Sequence, residues 1–283
     1  MTTATTERLQ HNKRLVHDFY ARALVPQNAD AVAEFVAEDY RDHGYGIPDG
    51  RDALAEQLRR KTIRAPRLAG TEAEPVEPEF VLAEDDLVTI CHYLPQPEPG
   101  DAAATFDYWH FDTYRIEDGL IAEHWSSYNR AAPLVWERQT RQARQPIAPA
   151  TADKSQLERN KRLVIDAYRC VFDAHDPDAA ERFFAQDYRQ HMPGVGPGAA
   201  GIADLVRMIP GELREAPAEP LIPPTILMAE GDVVVYAVCR PQTDPSNRAV
   251  KYPFLIFNAF TIGDGLLTEH WDGQNKAAPM ELG

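Results

Sequence analysis

The chain has 283 residues, 44% of them hydrophobic, and a formal net charge of −15. That length suits about two domains, and an acidic surface with no basic run repels phosphate backbones and anionic lipid, which excludes nucleic acid and membrane surfaces as partners. Three scattered cysteines, Cys91, Cys170 and Cys239, lack CxxC spacing, so a disulfide scaffold and a structural zinc site are excluded and a reducing, cytoplasmic setting is expected. The stretch up to Arg14 is polar, unlike a secretory leader, and no apolar run approaches the roughly 20 residues of a spanning helix.

The first predicted element is an amphipathic helix carrying Leu15, Val16, Phe19, Tyr20 and Ala23 at helical spacing. A short helix follows, capped by Asn28 and burying Val32, Phe35 and Val36. Asp39-Tyr40-Arg41 with His43 reads as the end of that helix. A Gly/Pro loop leads to a third helix around Asp52 to Ile63. Strand-like segments complete the unit: Phe80 to Leu82, Leu87 to Leu94, Phe106 to Ile116 and Leu120 to Tyr128. Residues 133 to 153 are rich in Arg, Gln, Pro and Ala; Leu134 to Gln142 is expected to extend the unit as a helix, and 145–154 reads as a linker.

The same unit then recurs. Asn12-Lys13-Arg14-Leu15-Val16 returns as Asn160-Lys161-Arg162-Leu163-Val164, an offset of 160 − 12 = 148, and Asp187-Tyr188-Arg189 with His191 keeps that offset. Glu123-His124-Trp125-Ser126 returns as Glu269-His270-Trp271-Asp272, an offset of 270 − 124 = 146. A period this long is a duplicated domain rather than a solenoid of small repeats. The expected boundaries are 1–144 and 155–283. Ser155 and Glu158 suggest a capping box for the second unit's first helix, and Asp176-Pro177 suits the start of its second. Its strands are predicted at Ile226 to Met228, Val233 to Cys239, Tyr252 to Ile262 and Leu266 to Asp272. Three helices followed by antiparallel strands make an α+β unit.

Each tetrad follows a Gly turn, as the second strand of a β-hairpin would. Alternation puts His270 and Asp272 on one face, with Glu269 and Trp271 on the other. An imidazole and a carboxylate side by side on a half-buried strand form a candidate acid/base pair. The first copy keeps His124 but has Ser126 in place of the carboxylate.

The order of elements, the Asp-Tyr-x-x-His segment and the closing Glu-His-Trp-Asp strand resemble SnoaL-like proteins of the NTF2-like superfamily, a group that includes polyketide cyclases. The resemblance implies two tandem cone-shaped α+β barrels, each with an apolar pocket between helices and a curved antiparallel sheet. It implies pocket groups at His191, Asn258, His270 and Asp272 in the second copy, and at His43, Asp112, His124 and Ser126 in the first. The second copy thus lacks the carboxylate of the penultimate strand, and the first lacks the closing one. The superfamily also hosts isomerases, dehydratases, epoxide hydrolases and non-enzymes, so fold alone does not choose among them.

Ring closure by intramolecular aldol addition needs a base, a donor for the enolate, and a pocket that folds the substrate; it needs no metal or organic cofactor. Asp272, His270 and His191 are the expected catalytic groups, because the second copy retains a carboxylate and an imidazole on one strand face. Asn258, Tyr188, His43, Asp112, His124 and Ser126 are expected to bind substrate, a small apolar carbonyl compound. His110 shares a face with Asp112, and with His43 and His124 it outlines an alternative metal site that the reading sets aside. Hydrolysis, dehydration and ligand binding without turnover are the competing functions. The two copies are expected to pair internally as a pseudo-dimer, with Trp125 and Trp271 turned away from the pockets.

Overall fold

The computed structural model describes residues 3–66, 77–132, 134–136 and 146–278. The expected helix after Leu134 lies outside the described residues from residue 137 onward, as does the first residue of the expected linker, Gln145. Among the described residues no helix is long and apolar enough to cross a membrane. The chain forms two compact units. One runs to Ala148 and includes Arg240–Leu255 and the residues from Gly273; the other comprises Pro149–Cys239 and Ile256–Asp272.

In the first repeat, α1 (Thr3–Phe19) buries Leu9, Val16 and Phe19 and then loosens into a π-helical turn, Tyr20–Leu24. Such a turn shifts the register of a helix face and recurs at functional sites; here it begins at Tyr20. Asn28 accepts from the Asp30 amide and starts a 3-10 segment, Ala29–Glu34. Strand β1 (Val36–Asp42), helix α2 (Arg51–Arg59) and strands β2 (Phe80–Glu84) and β3 (Leu87–Tyr93) follow. A two-stranded ribbon, β4 (Gln96–Glu98) with β5 (Asp101–Phe106), precedes β6 (Trp109–Glu117) and β7 (Leu120–Ser126). The β6–β7 turn places Asp118 and Gly119 at φ 50° and 78°, the left-handed pair that a two-residue hairpin requires.

The sheet is open, with strand order β1-β7-β6-β3-β2. Asp39-Tyr40-Arg41 therefore lies in a strand, not at a helix end, and the sheet is mixed rather than wholly antiparallel, because β1 pairs parallel to β7. The reason is tertiary: the alternation that buries Tyr40 and exposes Arg41 fits an edge strand held by β7. The face bearing Ile90, Tyr114 and Ile116 packs with Val16, Phe19, Tyr20, Leu54 and Leu58 of the helices into one core.

The second repeat reproduces this plan. Asp153, rather than the expected Ser155–Glu158 box, caps α3 (Lys154–Ala167), accepting from the Gln156 amide. A π-helical turn, Tyr168–Asp173, and a 3-10 segment, Pro177–Arg182 capped by Asp176, lead to β8 (Phe184–Gln190) and α4 (Gly198–Met208). Strands β9 (Ile226–Glu230), β10 (Val233–Asp244), β11 (Asn247–Gly263) and β12 (Leu266–Asp272) complete an open sheet of order β8-β12-β11-β10-β9, over a core of its own.

Candidate active site

Alternation along β6 sends His110, Asp112 and Tyr114 to the helix-facing side, and the register sets Asp112 opposite Ser126 and Tyr114 opposite His124 on β7. On the other flank His92 of β3 lies opposite His110. Asp42 ends β1, and the π-helical turn supplies Tyr20. The side chains that meet here thus come from four strands and one helix.

His124 is the hub. Its Nδ1 lies 2.8 Å from Asp42 Oδ2 and its Nε2 lies 2.8 Å from Asp112 Oδ1. With a carboxylate on each nitrogen, both must carry a proton, and the ring is an imidazolium. Burial opposes that charge, but the hydrogen bonds and charges of Asp112 and Asp42 outweigh it and raise the pKa to about 9. The ring lies between Tyr114, stacked at 4.7 Å, and Tyr45 at 5.3 Å.

Asp112 is 1% exposed. Its Oδ2 accepts from the Tyr20 hydroxyl at 2.7 Å and lies 3.2 Å from His110 Nε2. Burial pushes this carboxyl up, yet the charges and hydrogen bonds of His110 and His124 together hold it well below the usual range. The Tyr20 phenol is pushed well above its ordinary value by burial and by Asp112, so it stays a donor. Asp42 is tied from outside: its Oδ1 accepts from the amides of Gly44 and Gly46, and its Oδ2 also accepts from Tyr40 at 3.2 Å. A cleft of about 220 Å³ opens beside this cluster, with Tyr45, Tyr128 and Trp136 in its walls. Tyr45 and Trp136 both pack on His110, with ring centroids at 6.5 and 5.1 Å.

The second repeat builds the same scaffold without the charges. His270 Nδ1 lies 2.7 Å from Gln190 Oε1, and Nε2 lies 3.0 Å from Asn258 Oδ1. A neutral ring donates to one of these oxygens, and its other nitrogen is satisfied when the second amide turns its NH2 group toward it. Burial, with a smaller contribution from His191, lowers the His270 pKa to about 3. At the positions matching His92, His110 and Tyr114 stand Val238, Ile256 and Phe260. Tyr188, the counterpart of Tyr40, is 1% exposed and its hydroxyl has no hydrogen-bond partner among the described residues, since Gln190 replaces the carboxylate that Tyr40 uses.

The expected residues therefore divide. The structure brings Asp112, His124 and Ser126 together, with Ser126 Oγ 3.4 Å from His110 Nε2. The ring nitrogens of His43 and His191 bond on the far side of the closing strands, although His191 is still near enough to act electrostatically on His270. His43 Nε2 bonds Glu123 at 2.8 Å and stacks on Trp125, and His191 Nε2 bonds Glu269 at 2.8 Å and stacks on Trp271. Glu123, Trp125, Glu269 and Trp271 alternate with the hub histidines along β7 and β12, so these contacts of His43 and His191 fall on the other side of the closing strands. Asp272 shares the His270 face but both ring nitrogens of His270 bond elsewhere. Asp272 is 4% exposed and lies near Tyr188, where its charge adds to burial and Tyr168 in raising that phenol's pKa. Asp42, Tyr20, Tyr45 and Gln190 escape the sequence reading; Asp42 becomes visible once Tyr40 is seen to alternate in a strand. Among the described residues no group of three or more His, Cys, Asp or Glu is arranged to hold a metal ion.

The sequence profile of the SnoaL-like domain matches residues 16–124 and again 164–270. No curated protein matches the chain. Among solved structures, a candidate polyketide cyclase of Xanthomonas campestris pv. campestris is 24% identical, covering 43% of this chain and 92% of its own, with a TM-score of 0.30. A candidate SnoaL-like polyketide cyclase of Jannaschia sp. CCS1 is 16% identical over 41% of this chain and 84% of its own, with a TM-score of 0.31. An epoxide hydrolase of M. tuberculosis, described as LEH-like, is 18% identical over 41% and 83%, with a TM-score of 0.30. With its profile matched over both repeats, the chain belongs to the SnoaL-like domain family, in tandem duplicate.

Proposed function

We propose that the first repeat is a cofactor-independent acid/base site for a small carbonyl compound, with Asp112 as the base. The observation that carries this reading is the buried Asp42–His124–Asp112 chain beside an open cleft, in a fold whose second copy stands without those charges. A charge network that the scaffold does not need for folding is a candidate for chemistry.

A carboxylate that already accepts from two or three donors is a weak base, so it suits an acidic C–H such as one between two carbonyls. In the proposed step Asp112 takes that proton and the electron pair moves to the carbonyl oxygen as an enolate. The enolate carbon then attacks a second carbonyl of the same molecule, forming a C–C bond, and the resulting alkoxide takes the proton back from Asp112. The net reaction is an isomerisation, and later loss of water would make it a lyase reaction. His124, fixed as a cation by Asp42, offsets the negative charge as it moves from Asp112 to the enolate.

A second reading is favoured by the pairing of two carboxylates on one imidazolium: Asp112 activates a water instead of a C–H, for hydrolysis of an epoxide. Three free thiols, Cys91, Cys170 and Cys239, support a cytoplasmic setting for either chemistry. The test is turnover of a panel of β-polyketones and epoxides by the intact chain and by Asp112→Asn and Asp272→Asn. Loss of roughly 10²-fold or more is expected for Asp112→Asn and a mild effect for Asp272→Asn. The opposite pattern would move the chemistry to the second repeat, and tight ligand binding without turnover would make the chain a binding protein.

A further inference from the structure

We propose that Tyr45 is the movable wall through which substrate reaches Asp112, and that it selects what is admitted. The inference rests on the first repeat holding the reactive site. Asp112, His110 and His124 are each 2% exposed or less, so nothing touches them from solvent in this arrangement. None of the three lines the cleft; Tyr45 does, and its ring also lies over His124 and against His110, with Trp136 packed on another side of His110.

Three features assign the motion to this side chain rather than to its loop. The backbone around it is fastened, because the amides of Gly44 and Gly46 donate to Asp42 Oδ1. Gly44 also presses so closely on β7 that a Cβ there would sit 2.5 Å from the Ser126 Cβ. The ring is held by packing and through its hydroxyl alone, which bonds Ser126 and lies 3.4 Å from His110 Nε2, at the long end of hydrogen bonding. The second repeat has Pro193 at the matching place, before Gly194, which shares the positive φ of Gly46, so the fold does not require a ring there.

Turning Tyr45 outward uncovers one face of the His124 imidazolium and the His110 edge beside Asp112. A ligand taking its place has to present a flat, electron-rich face to that cation, as the planar enol of a β-dicarbonyl compound does. The exchange of one π-face for another makes Tyr45 a filter on ligand shape as well as a barrier.

The test compares the intact chain with Tyr45→Phe and Tyr45→Ala, reading carbethoxylation of His110 by diethyl pyrocarbonate through peptide mass analysis. His110 is expected to be modified at least about tenfold faster in Tyr45→Ala, with Tyr45→Phe as protected as the parent. Saturating 1-phenyl-1,3-butanedione is expected to restore protection in the alanine variant. Protection of His110 in Tyr45→Ala equal to the parent's would overturn the proposal, as would a phenylalanine variant as open as the alanine one. If melting shows Tyr45→Ala to be unfolded, Tyr45→Val, which removes the ring and most of its reach but leaves a small apolar side chain, replaces it with the same expectations. None of these readings depends on turnover, so failure of the acid/base assignment and failure of the wall are seen separately.

Discussion

Replacing Asp112 with Asn gives the first repeat the amide that Asn258 already supplies in the second, and the structure sets the size of the effect. His124 has a folded pKa of about 9 against an ordinary 6.5. Because the folded value is raised, the stabilisation is fully present below about pH 6.5 and is lost as pH rises through about 9. At pH 7 about two units separate the solution from the folded pKa, so at roughly 1.4 kcal/mol per unit the bound proton contributes on the order of 2–3 kcal/mol. Asp112→Asn removes one of the two carboxylates that hold it. With Asp42 still in place, the variant is expected to be roughly 1–2 kcal/mol less stable than the parent at pH 7, the gap narrowing as pH rises to 9.5. Urea unfolding at both pH values, followed by Trp fluorescence, measures the gap, and imidazole resonances report the His124 titration directly. A stability difference that does not change between pH 7 and 9.5 would refute the reasoning, because it would show that the aspartate acts through shape and not through the proton.

The converse change, Gln190→Asp with Asn258→Asp, is expected to move His270 from a pKa of about 3 to above neutrality and to give Tyr188 an acceptor; NMR titration checks it. On the acid side, His92 and His270 are both held neutral, with folded pKa values of about 3 against 6.5 unfolded, so stability is expected to fall as pH drops from about 6.5 toward 3. His92→Val copies the second repeat's Val238 and removes one of these two contributions. The loss on moving from pH 6.5 to 4 should then shrink by roughly 3 kcal/mol in a denaturant series. Gly44→Ala is expected to cost about 1–3 kcal/mol, since the new methyl group has to displace β7 at Ser126 or lift its own loop.

The duplication, the hairpins and the interior face of each closing strand are legible in the sequence because they are local: repeated words, a left-handed turn pair and a period of two. The weighting of the two copies is not. Asp272 stands beside a histidine in the chain, which draws attention to the second repeat, yet that histidine bonds two amides contributed by β8 and β11. The carboxylate that charges His124 comes from Asp42, 82 residues away along the chain, in a segment whose apolar content reads as helical. Only the parallel pairing of β1 with β7 makes it a strand and brings Asp42 to the ring. Tyr20 hides for a similar reason: it fits the apolar stripe of α1, and only the π-helical turn aims its hydroxyl at Asp112.

The position of β7 between β1 and β6 has a consequence for how the protein is made. Strand β1 gains its sheet neighbour only when Ile121 to His124 have been synthesised, so the N-terminal edge waits for most of the repeat to leave the ribosome. Contacts this distant in the chain form slowly, because the intervening loop is closed before any pairing rewards it. Tyr20, Asp42, Asp112 and His124 therefore come together in the last step of assembling the repeat, and a nascent chain halted before Leu120 holds two carboxylates facing a core without the cation that neutralises them. The second copy, with Gln190 and Asn258 at those places, passes through the same stage without buried charge. Ribosome-bound chains stopped before and after β7 should accordingly differ in protease resistance and in chaperone binding more sharply for the first repeat than for the second.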